Sequence, residues 1–170
     1  MEDWKRRIDA KGPGFKIGLA WAGNPKNPRD RLRSIKLSRL SPLVEISKKA
    51  EMQFHSLQKG EAAEQAAPVG MDLTDWSRDL HDFAETAGLI ANLDLIITVD
   101  TAVAHLAGAM GKPVWLLLRF VPDWRWLMNR GDSPWYPTIR LFRQTSPGDW
   151  GGVVGKVCNA LKLQVGGSAS

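Results

Sequence analysis

Cysteine is nearly absent from the chain: Cys158 is the only one in 170 residues. A single thiol closes no internal disulfide and alone builds no tetrahedral metal site, which excludes disulfide scaffolds and cysteine-ligated zinc folds. Cys158 falls in a helical pattern and is expected to be a small packing residue. Long apolar runs are absent too. None reaches the roughly 18 residues of a membrane-crossing helix, and Met1-Glu2-Asp3-Trp4 does not open a secretory signal. The expected location is the cytoplasm, with no transmembrane segment. Internal repeats, low-complexity stretches and the G-x-G-x-x-G fingerprint are also missing, and the lack of the last argues against a dinucleotide cofactor.

The residues that are present describe an ordinary globular domain. The apolar share is 44% and the charged share 24%, near the averages of folded proteins, and the length suits one domain with a real core. The net charge of +5 is unevenly spread, because Lys26, Arg29, Arg31, Arg33 and Lys36 crowd into one stretch. Such a cluster either meets a phosphate-bearing partner or remains a solvated loop. Tryptophan is abundant, at eight residues. Trp115, Trp124, Trp126 and Trp135 fall close together, which suggests a stacking or packing platform.

Residues 1–14 are charged, end in Lys-Gly-Pro-Gly and read as a linker or helix remnant, and residues 164–170 read as a disordered tail. Between them, residues 15–163 alternate strand and helix. Strand patterns lie at 15–21, 52–57, 95–99, 114–118 and 139–142, with a weak one at 69–73. The run at 95–99 is continuously apolar, the mark of a strand buried on both faces of a parallel sheet. Ser41-Pro42 opens a helix. Asp82 and Glu85 have capping-box spacing, and Phe83, Ala87 and Ile90 repeat as the buried face of a second helix. A third runs from Thr101 to Met110 and stops at Gly111, and a last one covers about 150–161. Strands and helices alternating over short connections imply right-handed crossovers. The expected fold is α/β: a doubly wound, Rossmann-like parallel sheet of five or six strands. Ligands of such sheets bind outside the carboxyl ends of the strands, where the strand order reverses.

At those strand ends the residue types change. In "DLIITVDTAVAHLAGAMGKPVWLLL", residues 94–118, an apolar strand ends in Asp100-Thr101 and a helix begins. Val103, Leu106, Ala107 and Met110 gather on one side of that helix and are expected to face the sheet. Thr101 and His105, four apart, share the outward face. The helix N-terminus offers free backbone N–H groups and the positive end of its dipole to a phosphate, with the Thr101 hydroxyl and a His105 ring N–H as further donors. Asp100 is either the N-cap or an acceptor for ligand hydroxyls; His105 is either a ligand contact or a solvated surface histidine. The first loop, "WAGNPKNPRDRLRSIKL", either brings Arg31, Arg33 and Ser34 onto a diphosphate through charge-assisted hydrogen bonds or is solvated and mobile. After the second strand, "SLQKGEAAEQ" offers Gln58, Lys59 and Glu61, and a carboxylate there suits ribose hydroxyls. After the fifth strand, the rings of "PDWRWLMNRGDSPWYP" either stack on a base or sugar or, the favoured reading, pack down as a lid.

The run "DFAETAGLIANLDLIITVDTAVAHLAGAMGKPVWLLL", residues 82–118, resembles the C-terminal half of a GT-B glycosyltransferase of the heptosyltransferase-like family (glycosyltransferase family 9) and its bacterial relatives with tetratricopeptide repeats. "GLAWAGNPKNPRDRLRSIKL" and "FHSLQKG" support it, and the aromatic segment follows it more loosely. The resemblance implies one half of a GT-B fold that binds a nucleotide-diphosphate sugar for hexosyl or heptosyl transfer. Carried over by position, Asp100, Thr101, His105, Arg33 and Ser34 contact the donor's phosphates and neighbouring groups, and Glu61 matches a ribose-binding carboxylate. Two positions depart from the family: Ala102 stands where many members have glycine, and Arg119-Phe120 follows "WLLL" where others turn at glycine.

The resemblance also implies what lies outside the chain. An N-terminal acceptor domain supplies the catalytic base in inverting members, and tetratricopeptide repeats can accompany it. No cofactor and no metal are expected, the nucleotide sugar being a substrate. Self-association through an exposed interdomain surface is expected in the half alone. Two other classes compete: a non-catalytic α/β partner-binding module, weakened by the absence of paired acidic residues after the first strand, and a nucleic-acid-binding domain, weakened because the basic residues occupy one loop with no recognised motif.

Overall fold

Two continuously apolar pentapeptides, Leu-Ile-Ile-Thr-Val and Val-Trp-Leu-Leu-Leu, form strands β4 (Leu95–Val99) and β5 (Val114–Leu118), buried along their whole length. A strand is buried on both sides only where helices cover both faces of its sheet. The computed structural model, which describes residues 2–128 and 130–166, has that arrangement. The other strands are β1 (Phe15–Ala20), β2 (Met52–Ser56), β3 (Leu73–Asp75) and β6 (Ile139–Arg143). All pair in parallel, in the order β3-β2-β1-β4-β5-β6. This is a six-stranded α/β sheet of Rossmann-like type, with its order reversing between β1 and β4.

Side chains alternate between the two faces at the strand period of two. Ile17, Leu19, Leu95, Ile97, Val99, Trp115 and Leu117 form one core with α3 (Pro42–Ser47) and α6 (Trp150–Gly166). Cys158 packs there, and burial raises its thiol pKa. Ala20, Ile96, Leu116 and Leu118 form the other core with α1 (Glu2–Asp9), α4 (Phe83–Ala91) and α5 (Ala102–Ala109). The crossover from β1 to β2 therefore covers one face, and those from β3 to β4 and β4 to β5 cover the other.

Several expectations are corrected in detail. The weak third strand is displaced to Leu73–Asp75, because Gly70 takes a positive φ of 83° and Met71 N–H closes a turn on Pro68 C=O at 3.0 Å. On α4, Asp82 does cap, accepting from Glu85 N–H at 2.8 Å. Its buried face, however, is Thr86, Leu89 and Ile90, and Phe83 is 65% exposed. On α5 the face against the sheet is Ala104, Ala107 and Gly108, while Val103 and Leu106 are half-buried and Met110 is exposed. Small residues let the helix backbone approach the sheet closely, so Ala104, Ala107 and Gly108 are fully covered while Val103 and Leu106 pack at the edge of the same core. The last helix runs on through Gly166, and the rest of the expected tail, 167–170, lies outside the described residues.

Residues 2–9 form α1, docked on α4 through Trp4, which is 4% exposed. Its Nε1 donates to Glu85 Oε2 at 2.7 Å, and its ring meets Trp76 edge-on with centroids 5.4 Å apart. The Arg7 guanidinium lies 4.4 Å from one ring and 4.8 Å from the other, and pairs with Asp79 at 2.7 Å. Gly88 makes room, since a Cβ there would come within 2.6 Å of Trp4 Cδ1. Truncating Trp4 to alanine is expected to lower stability by about 3 kcal/mol. A urea unfolding midpoint unchanged from the parent chain contradicts this docking.

Trp76 also reaches His55, which is fully buried on β2. Its Nε1 donates to His55 Nδ1 at 3.1 Å, so the neutral imidazole carries its proton on Nε2, a buried atom with no partner. Burial first, and then the positive charge of Lys16, lower the His55 pKa to about 4. The unfolded chain thus binds the proton first on acidification. Stability is held above about pH 6.5 and falls by about 3 kcal/mol as the pH drops towards 4. Urea titrations across that range, in the parent chain and in His55→Phe, are expected to show the slope in the parent and its loss in the variant.

Candidate functional site

The carboxyl ends of β1 and β4 lie side by side, with Ala20 paired to Thr98. From there the chain leaves over opposite faces of the sheet, and an open cleft of about 760 Å³ lies between the two exits. Its walls come from the loop after β1, the segment after β2, the start of α4 and the start of α5. Of the residues singled out in the sequence, Arg33, Asp100, Thr101 and His105 line it together. Ser34 and Glu61 are not among the lining residues.

Arg33 is selected from the five clustered cations by a local fold. The helix α2 (Asp30–Arg33) is a single turn that sets Asp30 and Arg33 three apart on one side. Arg33 Nε donates to Asp30 Oδ1 at 3.0 Å, and the Ser34 hydroxyl donates to Asp30 Oδ2 at 2.7 Å. The same Ser34 oxygen accepts from Gly23 N–H at 2.9 Å. Ser34 therefore braces the loop through both of these bonds. Asp30 is only 8% exposed, and its carboxylate, gripping Nε, leaves the terminal nitrogens of the guanidinium to the cleft. Gly23 packs against this pair: a Cβ would fall on Asp30 Oδ1 and within 2.7 Å of Arg33 Nη2. Lys26, Arg29, Arg31 and Lys36 are exposed and lie outside the lining.

At the other exit the N-cap of α5 is Thr101, in extended backbone with φ −139°, and its side chain makes no capping bond. Its hydroxyl instead lies 3.2 Å from the Thr98 hydroxyl. Asp100 is thus not the cap, and its carboxylate remains at the cleft wall, 4.0 Å from His105 Nε2. His105 is not simply turned outward. Its ring stacks on buried Trp126 with centroids 5.3 Å apart, and Nδ1 lies 3.2 Å from the Tyr136 hydroxyl. Burial lowers its pKa, against the raising effect of Asp100, and Arg125 lowers it further.

Comparison with known proteins can now be placed on this geometry. Residues 80–117, which include Asp100, Thr101 and His105, match the model of glycosyltransferase family 9 (heptosyltransferase). The fold aligns with the structure of E. coli ADP-heptose lps heptosyltransferase II at TM-score 0.63 and 17% identity, covering 96% of this chain and 52% of that one. Over residues 80–117 the chain is similar to glycosyltransferase family 9, and its fold is that of half of a solved heptosyltransferase. A second family 9 structure, from Veillonella parvula, aligns at TM-score 0.58 and 12% identity, over 96% of this chain and 52% of that one. Protein FlbA of Caulobacter vibrioides is 32% identical over 172 residues, 94% of this chain and 27% of FlbA. The chain spans about half the length of the solved structures and about a quarter of FlbA.

Gln58 and Lys59, offered in the sequence at the end of β2, also reach the cleft, and Phe83 and Arg125 join them without having been expected there. Gln58 lines it while accepting from Trp21 N–H at 3.0 Å and Ala22 N–H at 2.9 Å, which joins the ends of β1 and β2. Lys59, exposed Phe83 and Arg125 complete the wall. Glu61, in a short 3-10 turn (Glu61–Glu64), is exposed. The four clustered tryptophans divide: Trp115 and Trp126 are core, whereas Trp124 and Trp135 are exposed. Among the described residues no group of three or more His, Cys, Asp or Glu is placed to hold a metal ion, and no helix is long and apolar enough to cross a membrane.

Gly23→Ala is expected to push Arg33 away from Asp30 and to destabilise the domain by about 1–3 kcal/mol, the range for overpacking a filled site. Equal unfolding midpoints for the variant and the parent would show that the loop yields without cost.

Proposed function

We propose that this domain is the donor-binding half of a glycosyltransferase that uses a nucleoside-diphosphate sugar. The observation that carries the reading is the convergence of Arg33, the free N-terminus of α5 with Thr101, and His105 on one cleft at the β1–β4 reversal. Two exits from a parallel sheet that face each other across a crevice are where α/β folds bind nucleotides. The partial positive charge of the helix end and the Arg33 guanidinium are complementary to a diphosphate. Asp100 has its carboxylate free for sugar or ribose hydroxyls, and the exposed ring of Phe83 has the shape and position to meet a base.

In this reading the chemistry is electrostatic. As the bond from the anomeric carbon to the diphosphate oxygen breaks, negative charge grows on the leaving group. Donors already oriented towards it stabilise the transition state more than the ground state. The acceptor hydroxyl and the base that takes its proton belong to the other half of the enzyme, and the reaction needs no metal in this half. The support is a domain that spans about half of the solved proteins it matches, together with a cleft that has cationic and helix-end donors.

Titration calorimetry with ADP, UDP, GDP and CDP tests the reading. One of the four is expected to bind, and the Thr101→Ala, His105→Ala double variant is expected to weaken it by at least about tenfold, as the loss of two donors near a charged ligand implies. Retained affinity in a folded double variant overturns the assignment of the site.

A further inference from the structure

The aromatic segment after β5 closes on the helix that bears His105. Gly108, one turn further along α5, is what permits it: an added Cβ would come within 2.8 Å of Tyr136 Cγ and 2.9 Å of Ile139 Cδ1. Tyr136 lies in the space so left, its ring at 64° to the imidazole with centroids 5.8 Å apart and its hydroxyl 3.2 Å from Nδ1. Trp126, with no exposed surface, stacks on the same imidazole at 25°. Two rings from one segment therefore hold His105, and Nε2 is left towards Asp100 Oδ1, 4.0 Å away.

We infer that Tyr136 is the positioning residue for His105: its hydroxyl donates to Nδ1 and so fixes the imidazole with its proton on Nε2, as a donor at the cleft wall beside Asp100. This inference rests on the donor-site reading for its functional meaning and on the ring geometry for its structure. Electrostatics selects the direction of the bond. With the proton on Nδ1, the tyrosine would accept, and the Nε2 lone pair would face a carboxylate across 4.0 Å. With protons on both nitrogens, the ring would carry a charge that its burial disfavours more than the neighbouring Asp100 favours it, and the Arg125 cation opposes it further. The neutral ring with Nε2–H meets neither objection. Tyr136 touches no ligand in this scheme, but it decides which hydrogen-bonding group His105 presents to one. A segment that packs as a cover over the domain thereby also sets the chemistry of a side chain 31 positions earlier.

The tautomer is read directly from histidine 15N chemical shifts and their couplings to ring protons, in the parent chain and in Tyr136→Phe, which keeps the ring against Gly108. His105 is distinguished from His55 and His81 by the spectrum of His105→Asn. The parent chain is expected to show an unprotonated, hydrogen-bonded Nδ1 and a protonated Nε2. In Tyr136→Phe the Nδ1 shift is expected to move and the second tautomer to appear, with whichever of ADP, UDP, GDP and CDP the parent binds held about fivefold more weakly for the loss of one oriented hydrogen bond. A proton on Nδ1 in the parent chain overturns the inference, and that measurement needs no variant to fold. So do unchanged His105 shifts in a folded Tyr136→Phe. If the shifts respond as expected but the parent binds no diphosphate, the positioning role stands and the donor-site reading fails. If a diphosphate binds and the shifts do not respond, the donor site stands and the positioning role fails.

Discussion

β1 and β4 pair in parallel at the centre of the sheet, with Ala20 beside Thr98, and every functional placement follows from how the chain leaves these two strands. After β1 it turns to the face covered by α3 and α6; after β4 it turns to the face covered by α5. Two backbones that diverge from adjacent strand ends cannot fill the space between them. The right-handedness of parallel crossovers makes the divergence unavoidable at a reversal of strand order. The cleft is thus a by-product of topology, and the local residues only decide what it can hold.

Those residues share one device. Arg33 and His105 each stand at the cleft with one nitrogen already engaged by a protein group, Asp30 for the guanidinium and Tyr136 for the imidazole. Each partner is itself locked: Asp30 by the Ser34 hydroxyl and the absence of a side chain at Gly23, Tyr136 by the absence of one at Gly108. A donor whose orientation is fixed before a ligand arrives loses little entropy on binding, which is where the benefit of a preorganised polar site originates. Asp100 provides the contrast, since its carboxylate at the cleft wall is oriented by neither a cap nor an ion pair closer than 4.0 Å.

The sheet, the six strand positions and the Asp100-Thr101-His105 element were legible because they rest on local pattern: apolar runs, a glycine stop at Gly111 and a motif at a strand end. The weak third strand was misplaced by only a few residues, where a turn at Gly70 broke its pattern. What was illegible depends on contacts across the chain. The family resemblance points to Arg33 among Lys26, Arg29, Arg31, Arg33 and Lys36, but the physical reason for its selection, the single turn that brings Asp30 beneath it, is a contact. The spacing of an aspartate three before an arginine was a signal that could have raised it. The bracing role of Ser34 is equally hidden, because a hydroxyl in a basic loop does not announce which loop groups it will bond. On α5 the apolar stripe was only partly right: Ala107 is buried and Val103 and Leu106 pack at the core's edge, but close packing put Ala104 and Gly108 at its centre and left Met110 exposed. Phe83 was read as core for the same reason of periodicity, although the start of α4 projects beyond the sheet at the cleft.

The path of α6 bears on how the molecule is assembled during synthesis. This helix follows β6 at one edge of the sheet, yet it returns across the sheet to pack on α3 and the 3-10 turn at Leu37–Leu40, elements made more than a hundred residues earlier. Leu43, Val44 and Ile46 share their core with β1, β2 and the 3-10 turn, and that core is completed only when Val153, Val157 and Leu161 have emerged. Pairings so distant along the chain are slow to close and leave apolar surface exposed in the meantime. One face of the sheet can be covered while the ribosome is still at work, and the other waits for the last helix, so the newborn domain passes through a stage with one oily side.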